Sequence, residues 1–224
     1  MQTVCKYKGE QVLLVEGKND CHAVLALCRY HSLPESFGIF DCESDVGILR
    51  RLNALILQPD PPKTIGIVMD ADHPDIRGRW FQIQGKIAEH KYTFPATPDL
   101  HGTVLPENSG KPRIGIWLMP NNKDSGMLED FLMKMADKAT MKAVSDCLET
   151  ALSKGLTFFK HVHLSKALIH TYLAWQDEPG KTPGQSITSH ALKPDAEIAD
   201  IFVNWLKRLF LLRENFIEKS TGHR

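Results

Sequence analysis

Five acids have the type and spacing for divalent-metal chemistry: Glu16 and Asp20, Asp70 and Asp72, and Glu129. The central pair ends the stretch Ile65-Gly-Ile-Val-Met-Asp-Ala-Asp72, a short apolar run of the kind that forms a buried strand. If strand geometry persists through Asp72, a period of two puts both carboxylates on one face. Like charges that close raise each other's pKa unless a cation lies between them, and a hard divalent ion with oxygen ligands is the usual partner. The plainer alternative is a turn beginning at Asp70, with His73-Pro74 following. Asp20 and Glu129 have a plain alternative too, since each falls in a first helical turn where the dipole favours negative charge.

The elements that must position these acids can be read in order. Gln11 to Val15 is an apolar run ending at Glu16-Gly17, and a helical pattern with Val24, Leu25 and Cys28 on one face follows it. Gly17 permits a sharp turn or close approach to a ligand, and the amides opening that helix can face a phosphate. Lys18 and, much later, Lys123 are the lysines placed to contact phosphate; otherwise they are solvated surface residues. Phe37 to Phe40 reads as a second strand, and Val46 to Leu57 as a helix with Asp45 as its N-cap. Arg113 to Met119 is a fourth core strand, and a helix runs from about Leu128 to Lys138. Strand–helix repeats imply an α/β fold with a mostly parallel, Rossmann-like sheet, whose ligands gather at the carboxyl ends of the strands. Glu16 and the Asp70/Asp72 pair both stand at such ends.

Residues 73–113 read as an insertion in a domain covering 1–140, with a helix over Arg79 to His90 and a short edge strand at Thr103-Val-Leu105. Loops of this length often act as lids. Residues 141–224 read as a helical extension packed on that domain. Its strongest amphipathic stretch, Asp195 to Phe210, is expected to cover a sheet face or a second copy in a homodimer. The tail beyond Arg213 reads as frayed.

Lys plus Arg and Asp plus Glu each total 27, so the net charge is zero, which excludes a strongly basic nucleic-acid binder and leaves local patches. The five cysteines contain no C-x-x-C pair and suggest neither a zinc site nor a disulfide framework. With no membrane-length apolar run, they point to a cytoplasmic protein without a membrane partner. Gly180-Lys181-Thr182 resembles the end of a P-loop, but position 175 is Trp and no strand precedes it. His161-x-His163 has no third ligand nearby in sequence.

The Val15-Glu16-Gly17 step and the Asp70-Ala71-Asp72 pair, in this order and strand context, resemble the TOPRIM domain of topoisomerases, bacterial primases, RecR-type recombination proteins and OLD-family nucleases. Glu16-x-x-x-Asp20 and Leu128-Glu129 are most similar to the OLD-type version. Gly115-Ile-Trp-Leu-Met-Pro120 and Leu128-Glu-Asp-Phe131 resemble a family of stand-alone TOPRIM-related proteins of unknown function. The resemblance implies Mg²⁺ or Mn²⁺ held by Glu16, Asp70 and Asp72, with Asp20 and Glu129 completing a second ion site. It implies phosphodiester cleavage of nucleic acid, DNA in preference to RNA, with Glu16, Asp70 and Asp72 catalytic and Gly17, Lys18 and Lys123 on phosphate. Two ions about 4 Å apart would stabilise the attacking and leaving oxygens. OLD proteins join this domain to an ATPase, which here would have to act in trans. Two other functions remain open. One is a non-catalytic TOPRIM module binding nucleic acid or protein, and the other is a phosphatase of another α/β family with Asp70 as nucleophile.

Overall fold

A computed structural model describes residues 4–72, 75–108 and 110–211. The tail read as frayed beyond Arg213 lies outside them. The chain forms an α/β fold around a five-stranded sheet: β1 (Gln11–Val15), β2 (Gly38–Asp41), β3 (Thr64–Met69), β4 (Thr103–Leu105) and β5 (Arg113–Leu118), in the order β2-β1-β3-β5-β4. Four strands are parallel, and β4 is an antiparallel edge strand on β5.

Side-chain alternation divides the core into two layers. Leu13, Val15, Val68 and Trp117 face one side; Val12, Leu14, Ile65, Ile67, Met69, Ile114, Ile116 and Leu118 face the other. Strands covered on both faces read as continuous apolar runs, as β3 does. The first layer is closed by α1 (Lys18–Tyr30), α4 (Leu128–Met135), α6 (Leu164–Ala174) and α8 (Glu197–Phe210). The second is closed by α2 (Asp45–Ile56) and α3 (Ile76–Ile87).

The segment read as an insertion is therefore a structural layer of the domain, because Trp80, Ile83 and Ile87 of α3 are buried on the sheet. Its helix begins earlier than the apolar spacing suggests, since the Asp75 carboxylate accepts from the Gly78 amide as N-cap. The amphipathic stretch near the C-terminus covers the sheet face. Leu209 approaches the sheet at Gly66 and Gly115, where a Cβ would collide with it. Phe202 and Trp205 pack edge-on or tilted against Trp117. The C-terminal helices thus share the core of the first 140 residues instead of resting on its surface.

The remaining helices are α5 (Lys138–Ser153), which packs on α6, and the short α7 (Pro183–Thr188), which packs on α1. Thr182 caps α7 by accepting from Gln185, so the P-loop look-alike is a helix start. Two boundaries differ from the sequence reading through capping. Ser44, not Asp45, caps α2 by accepting from Gly47. The helix expected to reach Lys138 ends at Met135, because Asp137 caps the next one by accepting from Ala139 and Thr140.

Cysteine pairing also differs from the expectation. Cys5 and Cys21 form a disulfide with Cα atoms 6.0 Å apart. The segment before β1 pairs along the free edge of β2, through Tyr7 N to Ile39 O and Asp41 N to Cys5 O, which carries Cys5 to the start of α1. Spacing of 16 residues in the chain gives no hint of this contact. Among the described residues, no helix is long and apolar enough to cross a membrane.

Candidate functional site

The carboxyl edge of the sheet holds an open pocket of about 400 Å³ where β1, β2, β3 and α4 converge. Glu16, Asp20, Asp41, Glu43, Asp70 and Glu129 line it, with Lys18 and Lys166 as its cations. Six carboxylates against two lysines leave the pocket with a negative field that only added cations or protons can relieve.

Each acid is fixed by the element that ends beside it. Glu16 follows β1, and its Oε1 accepts from the Asp70 amide at 2.8 Å. Asp70 follows β3, and its Oδ1 accepts from the Leu128 amide, at the start of α4, at 3.0 Å. Asp20 lies buried in the first turn of α1. Glu129 lies in the first turn of α4, but the acid that caps that helix is Asp130, whose Oδ2 accepts from Met127 N at 2.8 Å. Glu129 is thereby left to face the pocket.

Burial sets the protonation of this cluster. It pushes Asp70 up to about 9, reinforced by the charges of Glu16, Asp20, Glu129 and Asp72. Burial raises Asp20 to about 7, helped by Glu16 and opposed by hydrogen bonds from its own amide and that of Gly17. Glu16 also rises to about 7 through burial, against the Asp70 hydrogen bond and the charge of Arg79. Groups so shifted, converging in one pocket, mark functional sites more often than structural ones.

Asp72 does not join them. Strand β3 ends at Met69, so the two-residue alternation that would align Asp70 with Asp72 is lost. The next two amides leave the ladder: Asp70 N donates to Glu16, and Ala71 N donates to Gly126 O. Asp72 is consequently exposed, outside the pocket lining, and acts on Glu16 and Asp70 only through its charge. Lys123 is also elsewhere, lining a separate cleft beside α3. Gly17 and Lys18 stand at the pocket as expected.

Two participants, Arg79 and Lys166, had no local sequence signal, whereas Asp41 and Glu43 stand at or just past the end of the second strand. Arg79 is buried under the site, donating to Asp70 O at 2.9 Å and to the Asp45 carboxylate at 2.7 Å. Lys166 arrives from α6, about 150 residues after Glu16. Asp41 ends β2 and is buried, accepting from Glu43 N at 2.9 Å. A strand-end acid such as Asp41 could have been found by applying the strand-end rule to the second strand as well.

Among the described residues, no group of three or more His, Cys, Asp or Glu is arranged to hold a metal ion. The donor set nevertheless suits a hard cation in chemistry, being all carboxylate oxygen, with Glu16, Asp20 and Asp70 raised by burial first and by neighbouring carboxylates second. Glu16 and Asp70 each spend one oxygen on a backbone amide and keep the other for a ligand.

The chain belongs to the family described as "Protein of unknown function (DUF3226)", whose profile matches residues 10–211. No curated protein and no solved structure matches it.

Proposed function

We propose that this family member is a divalent-metal-dependent nuclease that cleaves phosphodiester bonds, with a TOPRIM-type site at the carboxyl edge of its sheet. The observation that carries the reading is the convergence of Glu16, Asp20, Asp70 and Glu129 on one pocket from four elements, the ends of β1 and β3 and the first turns of α1 and α4. Arg79, buried below them, donates to the Asp45 carboxylate and the Asp70 carbonyl, and its charge offsets only part of the burial that raises Glu16, so these acids make poor structural glue.

Glu16, Asp20, Asp70 and Glu129 would hold Mg²⁺ or Mn²⁺. When bound, such an ion supplies Lewis acidity toward a phosphate oxygen and makes an attacking water more acidic. The residues themselves do the rest. Arg79 clamps the Asp70 backbone and so fixes the end of β3. Lys18 and Lys166 line the pocket as cations for the phosphate, and Gly17 lets it approach the start of α1. In place of holding the ion, Glu16, raised to about 7 in the metal-free pocket, would serve as general acid or base near neutral pH. Asp72, outside the lining, contributes field at the mouth. The OLD-type resemblance adds an ATPase partner in trans to the proposal.

One observation favours a second reading, a module that binds nucleic acid or protein without chemistry: among the described residues, no three acids converge closely enough to hold an ion as they stand. A single assay separates the two. Supercoiled plasmid and single-stranded DNA are incubated with the protein and Mg²⁺ or Mn²⁺, beside Asp70→Asn and Glu16→Gln. Metal-dependent cleavage lost in both variants supports the nuclease. DNA retained without cleavage, unaffected by chelator, supports the module and ends the nuclease reading. Release of phosphate from monoesters would move the chemistry to a phosphatase.

A further inference from the structure

A second cleft, of about 430 Å³, lies between α3 and the loop 96–100. We infer that this cleft receives one unstacked base of a single-stranded nucleic acid, and that Arg77 and Lys123 hold the phosphates flanking it. The inference rests on the nucleic-acid reading of the carboxyl edge.

The walls suit a planar ring. Phe81 is 60% exposed and Leu100 is 55% exposed, while Trp80 closes the floor. An exposed phenyl beside a cleft is a stacking platform for any base, because every base has a π-face. The rim suits an anion: Arg77 and Lys123 both line the cleft, no acid does, and neither cation is ion-paired among the described residues. Asn122, also in the lining, is 2% exposed. Its Oδ1 accepts from Leu118 N at 2.7 Å, while its Nδ2 has no partner. The Asn122 side chain thereby pins the wall of the cleft to the end of β5, and the cations on the rim select an occupant that carries phosphate.

The cleft is preformed. Trp80 Nε1 donates to Pro95 O and stacks edge-on with Phe94, while Asp99 accepts from His101 N and donates through its own amide to Thr103. One stretch of chain links it to the separate acid pocket. The stretch 122–128 supplies Asn122 and Lys123 to the cleft, and Leu128, whose amide holds Asp70, to the pocket. Ser125, within that stretch, accepts from Ile76 N at the start of α3. A base in a duplex is stacked on both faces and cannot enter, so the occupant is single-stranded.

The test is fluorescence anisotropy with a labelled oligothymidylate in EDTA, where binding is read without cleavage. Phe81→Ala should weaken binding about 5- to 150-fold. Arg77→Ala and Lys123→Ala should each flatten the log–log salt dependence by about 0.7. Phe158→Ala, which removes an exposed phenyl outside the lining of either pocket, should bind within twofold of the parent protein, which ties any loss to this cleft. Phe81 is exposed, and unchanged melting of Phe81→Ala confirms that the variant is folded. Parent-like affinity in all three cleft variants overturns the inference while leaving cleavage by the acid pocket intact. Equal affinity for a free thymidine monophosphate and the oligomer also overturns it. Oligomer binding that depends on Phe81, in a protein that cleaves nothing, upholds the cleft and sinks the nuclease.

Discussion

Glu16 should destabilise the metal-free protein at neutral pH, and removing its charge should stabilise it. Its carboxyl is raised from 4.5 to about 7 in the folded protein, by burial first. Between those values the folded chain binds more protons than the unfolded one, so stability falls as pH rises. The contribution is fully present below about 4.5 and gone above about 7. At about 1.4 kcal/mol per pH unit, the loss amounts to roughly 3 kcal/mol at pH 8. Gln has no charge to lose, and its oxygen can still accept from the Asp70 amide, as Glu16 Oε1 does at 2.8 Å.

Glu16→Gln should therefore match the parent to within about 1 kcal/mol at pH 5 and exceed it by about 3 kcal/mol at pH 8. The charge of Glu16 also raises Asp20 and Asp70, so its removal eases their ionisation and adds to the gain. The assay is urea unfolding in EDTA at several pH values, followed by the fluorescence of buried Trp80, Trp117 and Trp205. A variant weaker than the parent at pH 8 would refute the reasoning. So would an offset independent of pH, because it would trace the effect to a lost contact and not to ionisation. Such a gain at the expense of activity is the usual trade at a functional site.

Four other outcomes follow. Saturating Mn²⁺ or Mg²⁺ at pH 8 should raise the melting temperature by about 5–10 °C, as ligand at a hundred times its Kd gives; at pH 5 protons compete and the shift should shrink, and Asp70→Asn should abolish it, so equal shifts in all three cases would rule out these carboxylates as ligands. Asp72→Ala, altering an exposed acid outside the pocket, should cost far less cleavage than Asp70→Asn; equal losses in a turnover assay would place Asp72 among the ligands. Arg79→Met strips a buried cation from the half-buried Asp45 and from the Asp70 carbonyl, and should cost about 1.5–3 kcal/mol in urea unfolding; a loss under about 0.5 kcal/mol would show that the pair is not holding the end of β3. Reducing Cys5–Cys21, or replacing Cys5 with Ser, should cost about 3 kcal/mol for a loop of this length; melting unchanged by reductant would show that the bond contributes nothing to the fold.

What the sequence discloses about the fold follows from how locally each element is determined. β1, β3 and β5 are apolar runs bounded by turns, and their buried alternation is dictated by residues adjacent in the chain. α8 announces itself by an apolar stripe seven residues deep, from Ala199 to Phe210. What covers what is a different matter. The role of α3 depends on Trp80, Ile83 and Ile87 meeting a sheet face that the preceding strands have already built. The Cys5–Cys21 bond depends on residues 4–7 finding the edge of β2. Both are contacts between distant segments, and no spacing rule reaches them.

The same division explains the site. Glu16, Asp20, Asp70 and Glu129 were legible because each lies one to three residues past a strand end or inside a first helical turn, and topology alone carries such positions to one edge. Asp72 was misplaced because its predicted side assumed that the pleat continues, whereas the Glu16 carboxylate and the Gly126 carbonyl capture the amides that would have continued it. The residue that makes the pocket also ends the strand: by accepting from Asp70 N, Glu16 turns the chain out of the ladder at the point where Asp70 must enter the pocket. Proximity of Glu16 and Asp70 is therefore a consequence of how β3 terminates. It follows that Glu16→Ala, which deletes that acceptor, should loosen Asp70 as well as remove a ligand, whereas Glu16→Gln should spare the geometry. If hydrogen exchange of the Asp70 and Ala71 amides is equally protected in Glu16→Ala, Glu16→Gln and the parent, the strand ends for some other reason and this coupling is wrong.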